Sequence, residues 1–138
     1  MSLSLQAAQA ALRSQAFSVL LGAELTAFDS SVVELRVPIT DQIKQQHGFV
    51  HGGVVSYAAD NALTFSGGAA LGPAVVTSEF KINYLRPAKG ETLVARASVV
   101  YAGKSQAVCQ CQVFCVADGK EVLCAVAQGT IVSLGQPK

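Results

Sequence analysis

The chain has 138 residues, 51% apolar and only 14% charged, with a formal net charge of +1. The length fits one domain over 1–138 with a real core, and the low charge content, against ~25% in typical soluble domains, points to surface covered by another subunit. Near-neutrality without a basic run argues against nucleic acid, no apolar run reaches the ~20 residues of a membrane span, and Met-Ser-Leu-Ser-Leu-Gln lacks the marks of a secretion signal, so a cytoplasmic location is expected.

Leu5, Ala8, Ala11 and Leu12 recur at helical spacing behind Ser4, a good N-cap, and predict a short amphipathic helix over 4–15. Residues 17–21 continue the apolar character as far as Gly22. A strand is expected over 23–28, a turn at Asp29-Ser30-Ser31, and a half-buried strand over 33–37, where Val33, Leu35 and Val37 alternate with Glu34 and Arg36. Residues 40–49 are polar and without period, a loop. A helix then begins at Gly52-Gly53. Val54, Val55, Ala58, Ala59, Ala62, Leu63 and Phe65 leave it almost no polar face, so it belongs in a core. It should stop near Gly67-Gly68 or by Gly72-Pro73.

The rest reads as strand. Over 74–85, Phe80, Ile82 and Tyr84 fall on one side and Glu79, Lys81 and Asn83 on the other. Strands are expected over 92–101, 106–116 and 122–133, the last two joined by Asp118-Gly119, a hairpin signal. One helix buried on all sides requires a long, twisted sheet curved around it. The expected architecture is α+β, a six-stranded antiparallel sheet wrapped around one central helix. Cys109, Cys111 and Cys115 share one face of a strand and Cys124 lies on the next. Their spacing suits neither a disulfide nor a metal site, so they read as core thiols and no metal is expected.

The chemistry concentrates between Gln45 and Thr64. Asp60 is the only charged residue between His51 and Glu79. An ionised carboxylate in apolar surroundings is costly unless it is paired or has a task. The Gly52-Gly53 helix start offers free backbone N–H groups to a ligand. A carboxylate, N–H donors and a nearby His make an acyl-transfer site. Eight residues of helix separate Gly52 from Asp60 by ~12 Å, so each would need a complement from a second subunit.

His51-Gly52-Gly53 with Asp60 nine positions after the His, Gly48 before them, then Asn83-Tyr84-Leu85-Arg86-Pro87 and Gly103-Lys104, resemble the hotdog-fold acyl-CoA thioesterases. The likeness covers about residues 15–134 and is strongest to the PaaI-like, or 4-hydroxybenzoyl-CoA thioesterase-like, branch. It implies that Asp60 is nucleophile or general base and that the Gly52 N–H receives the thioester oxygen. Gln45, six residues before the His, would orient water or the carboxylate, where many members have Asn. The catalytic hydroxyl would be Thr64, one helical turn after the acid, with Thr77 on the following strand as the second choice. His51 takes a structural or thiolate-side role, Gly53, Thr77 and Phe49 contact substrate, and Tyr57, Phe65 and Phe80 join the pocket wall.

The resemblance also implies no metal or added cofactor, coenzyme A being part of the substrate. Some of Lys81, Arg86, Lys89 and Lys104 would meet its phosphates. A homodimer with two shared sites is implied, and a homotetramer built from it. Fold alone does not fix function. The alternatives are an acyl-thioester hydratase or dehydratase, which would change the acyl chain without releasing thiol, and a non-catalytic acyl-CoA-binding protein, which would bind without turnover.

Overall fold

The computed structural model describes residues 3–135. Helix α1 (Leu5–Arg13) is capped by Ser4, whose hydroxyl accepts from the Ala7 N–H at 3.1 Å, and it buries Ala8 and Leu12. The chain restarts as α2 (Ala16–Leu21), closed by Gly22 at φ 72°. Strands β1 (Glu24–Phe28) and β2 (Val33–Pro38) lead through a 3₁₀ turn (Asp41–Ile43) into α3 (Gly52–Leu71). Four more strands follow: β3 (Val75–Tyr84), β4 (Thr92–Ala102), β5 (Gln106–Ala117) and β6 (Lys120–Ser133).

All neighbouring strands are antiparallel, in the order β1-β2-β4-β5-β6-β3. The two edges are therefore β1 and β3. Helix α3 crosses from β2 to β3, the far edge, and packs against all six strands. Its Ala58, Ala59, Ala62 and Leu63 lie fully buried against Leu35, Leu93, Val113 and Ile131 of the concave face. This is the hotdog arrangement expected from the sequence. At the β5–β6 hairpin, Asp118 and Gly119 both take positive φ, 52° and 75°, as a two-residue type I′ turn requires. All four cysteines are buried and free. Among the described residues no helix is long and apolar enough to cross a membrane.

Two local features shape the site. Helix α3 ends at Leu71 with Gly72 as its C-cap, the second of the two stops expected, and runs unbroken through Gly67 and Gly68. A Cβ on Gly67 would fall 2.5 Å from the Cβ of Ile131, so the missing side chain is what lets the helix lie against β6. Gly67→Ala gains up to ~1 kcal/mol of helix propensity, but the clash is with a branched carbon close to the backbone, and overpacking costs about 1–3 kcal/mol. The variant should unfold at lower denaturant with an unchanged slope. An unmoved midpoint would refute the close contact.

The second is in β3, where the structure departs from the expected alternation. A bulge between Thr77 and Glu79 shifts its register against β6. Val75 and Thr77 are half-buried before it, and Phe80 and Ile82 after it. An inserted residue switches the inward side from odd to even positions, so Thr77 and Phe80 both face α3.

Candidate active site

The start of α3 leaves one donor unused. His51 is the N-cap, and its Nδ1 accepts from the Gly53 N–H at 2.8 Å. Its carbonyl accepts from the N–H groups of Val54 and Val55 at 2.9 and 3.3 Å. The Gly52 N–H makes no hydrogen bond among the described residues. Gly52 lines a cleft of about 420 Å³ together with Gln45, Phe49, Val55, Tyr84 and Arg86. The Gln45 N–H donates to the Phe49 carbonyl at 2.8 Å, and its side-chain oxygen accepts from the His47 N–H. Its amide nitrogen has no partner among the described residues. Donors at the positive end of a helix, facing a cleft, suit an oxygen that gains negative charge.

Asp60 lies two turns deeper and half-buried. The Thr77 hydroxyl donates to its Oδ1 at 2.7 Å, the Thr64 hydroxyl donates to its backbone carbonyl at 2.7 Å, and the two Thr oxygens are 2.7 Å apart. Two hydroxyl protons thus serve three contacts. Asp60 Oδ2 has no protein partner among the described residues and is not buried without one. The carboxylate is held through one oxygen and open through the other. Beside Thr64 is a smaller cavity of about 120 Å³, walled by Leu3, Phe28, Phe65 and Val75 with Gln15 at its edge.

The residues singled out from the sequence fall into two groups. Gln45, Phe49, His51 and Gly52 gather at the helix start, and Asp60, Thr64 and Thr77 gather along its middle. Eight residues of one helix, ~12 Å, divide them. The hydroxyl on Asp60's carboxylate is that of Thr77, while Thr64 reaches only the main chain and Thr77 itself. The Gly53 N–H is taken by His51 Nδ1 and is not free to donate to a substrate. The Tyr57 hydroxyl is bonded to Ser18 and Asn61, and burial pushes its pKa up against those bonds. Cys124 lines the cleft unanticipated, its proton held more tightly by contact with Cys115 and by burial.

Sequence reasoning used Tyr84 only as part of a strand-end pattern. In the structure its hydroxyl donates to the Gly52 carbonyl at 3.1 Å and also meets the Ser56 hydroxyl. The alternation of Phe80, Ile82 and Tyr84 carried the only signal for it. Its meeting with a helix 32 residues away did not show in one dimension.

With this geometry in view, comparison with known proteins gives a consistent result. Residues 47–122 match the family model described as Thioesterase superfamily. The chain is 32% identical over 104 residues to the acyl-coenzyme A thioesterase PaaI of Escherichia coli, covering 75% of this chain and 74% of that protein. It is 24% identical over 113 residues to the 1,4-dihydroxy-2-naphthoyl-CoA hydrolase of Listeria monocytogenes, covering 80% and 89% respectively. Among solved structures, a thioesterase family protein from Silicibacter pomeroyi superimposes with a TM-score of 0.84 at 35% identity, covering 91% of this chain and 93% of the other. The helix that carries Gly52 and Asp60 lies within the matched segment, and the chain belongs to the thioesterase superfamily, as a hotdog-fold thioester hydrolase of the PaaI-like type.

Proposed function

We propose that the protein hydrolyses acyl-CoA thioesters to free acid and coenzyme A, with Asp60 as nucleophile or general base and the Gly52 N–H as oxyanion donor. One observation carries the reading: among the described residues the first N–H of α3 is unpaired at a cleft, and the same buried helix holds a carboxylate with one open oxygen. Attack on the thioester carbonyl moves charge onto its oxygen, which the Gly52 N–H and the helix dipole stabilise. Thr77 orients Asp60 through Oδ1, leaving Oδ2 to attack the carbonyl or to take a proton from water. Gln45 orients the water or the carboxylate, and His51 holds the helix start. Arg86, at the cleft, offers a cation to the coenzyme A phosphates.

Gly52 and Asp60 of one chain cannot meet at one carbonyl, so each site joins Gly52 of one subunit to Asp60 of another. Strand β3 supports a dimer. Ten residues long, it pairs among the described residues only with β6 and leaves its other edge open, with Val76 44% exposed. Long unpaired edges invite a second strand, and antiparallel pairing of two β3 edges gives a two-fold axis. Two such dimers would form the tetramer. The acyl group is a small aromatic or medium-length one, a size that fits the cavity of about 120 Å³ beside Thr64. The reading places the protein in the cytoplasm and needs no cofactor.

The test is thiol release from a panel of acyl-CoAs. Release is expected, undiminished by EDTA, because the chemistry needs only a carboxylate, water and N–H donors. Activity lost in EDTA and restored by a divalent ion would contradict it. Hydration of an enoyl-CoA without thiol release would favour a hydratase, and binding without turnover a regulator.

A further inference from the structure

Oxyanion donors work when they are fixed before the charge develops, yet this one is on glycine, the residue least able to fix its own backbone. The neighbouring peptides supply the restraint. The peptide carrying the Gly52 N–H is held through its other end, since the His51 carbonyl accepts from Val54 and Val55. The next peptide, Gly52–Gly53, is held at both ends: its N–H by His51 Nδ1 at 2.8 Å, and its carbonyl by the helical bond from the Ser56 N–H and, in addition, by the Tyr84 hydroxyl at 3.1 Å. Two fixed planes meeting at the Gly52 Cα fix both of its dihedral angles. Tyr84 has a single proton, so if it donates to Gly52, Ser56 donates to Tyr84, giving the chain Ser56 to Tyr84 to Gly52. The Tyr84 ring also lies across the glycine, 3.5–3.6 Å from where a Cβ would be.

We infer that Tyr84 is a positioning residue, tying the end of β3 to the start of α3 and aiming the Gly52 N–H at the thioester oxygen. The inference rests on the proposed role of Gly52 and adds the device that holds it. Tyr84 acts through the carbonyl of Gly52 and not on the substrate. Its hydroxyl is therefore needed at the transition state, where the donor bond strengthens, and is indifferent to ground-state binding.

Tyr84→Phe keeps the ring against Gly52 and deletes only the hydroxyl. Removing an oxyanion donor outright costs ~10²–10³ in kcat; a donor left in place but loosened should cost about tenfold. KM, and the Kd for free coenzyme A measured by calorimetry, should stay within about twofold, with the melting temperature little changed. The Gly52 carbonyl keeps its helical bond from the Ser56 N–H, and the Ser56 hydroxyl could turn back onto it in place of Tyr84, so Tyr84→Phe is also combined with Ser56→Ala. Wild-type kcat in both variants would overturn the clamp and leave the thioesterase reading standing. A fall in kcat matched by a rise in KM and in the Kd for coenzyme A would make Tyr84 a substrate contact, again overturning it. If the wild-type chain releases no thiol from any acyl-CoA, the reading itself fails and the clamp's catalytic role with it.

Discussion

Asp60→Asn should lower kcat by at least ~10²-fold, leave KM near the wild-type value, and give a protein that melts no lower than the parent. The exchange removes one ionisable oxygen and nothing else of size. The Thr77 hydroxyl now donates to Oδ1 and can donate equally to the amide oxygen of Asn. Thr64 bonds the backbone carbonyl, which the substitution does not touch. The helix and β3 thus stay joined, so a fall in rate reports lost chemistry. An amide neither attacks a thioester nor takes a proton from water at neutral pH. Relieving a half-buried negative charge in an apolar wall removes a desolvation cost. A raised melting temperature would then be the sign of a group kept for function at the expense of stability. Kinetics on the acyl-CoA hydrolysed fastest, with thermal unfolding of the same samples, decide the matter. Near-normal turnover would end the assignment.

What could be read from residues alone follows the reach of each signal. The buried helix was legible because Val54, Val55, Ala58, Ala59, Ala62 and Leu63 leave no polar face, and that fact required a sheet around it. Asp60 stood out for the same reason, as a charge where none should be. The end of the helix was less legible. Gly67 breaks helices in general, yet here a strand carrying Ile131 presses on that position, and tertiary contact overrides propensity. Where Thr77 points depends on a single inserted residue. Counting alternate positions back from Phe80 and Ile82 puts Thr77 outward with Glu79 and Lys81, whereas the bulge turns it inward to the carboxylate. A bulge leaves little trace in a strand rich in β-branched and polar residues. The Tyr84–Gly52 bond, joining two distant segments, has no one-dimensional trace at all.

Two inactive variants should restore activity to each other. The first is Asp60→Asn, with its helix start intact. The second is Gly52→Pro, which deletes the donor N–H and keeps Asp60. Proline should be tolerated there. Gly52 is the first residue of α3, a place proline favours because the lost N–H has no helical partner. The preceding His51 has ψ 135°, extended as a residue before proline prefers. The nearest atom to a new Cβ would be 3.5 Å away, on Tyr84. Each variant alone lacks half of every site. When subunits exchange, one site of the heterodimer unites the intact Asp60 of one chain with the intact Gly52 of the other, and its second site carries both lesions. Random mixing in equal amounts makes half the dimers hybrid with one working site in two, so about a quarter of the wild-type activity should return. Exchange is verified independently by mass spectrometry of differently tagged chains. A site contained within one chain would gain nothing from mixing, because no chain in the mixture carries both groups. Verified hybrids that stay inactive would therefore refute the shared site, and so would a dilute monomer with normal turnover.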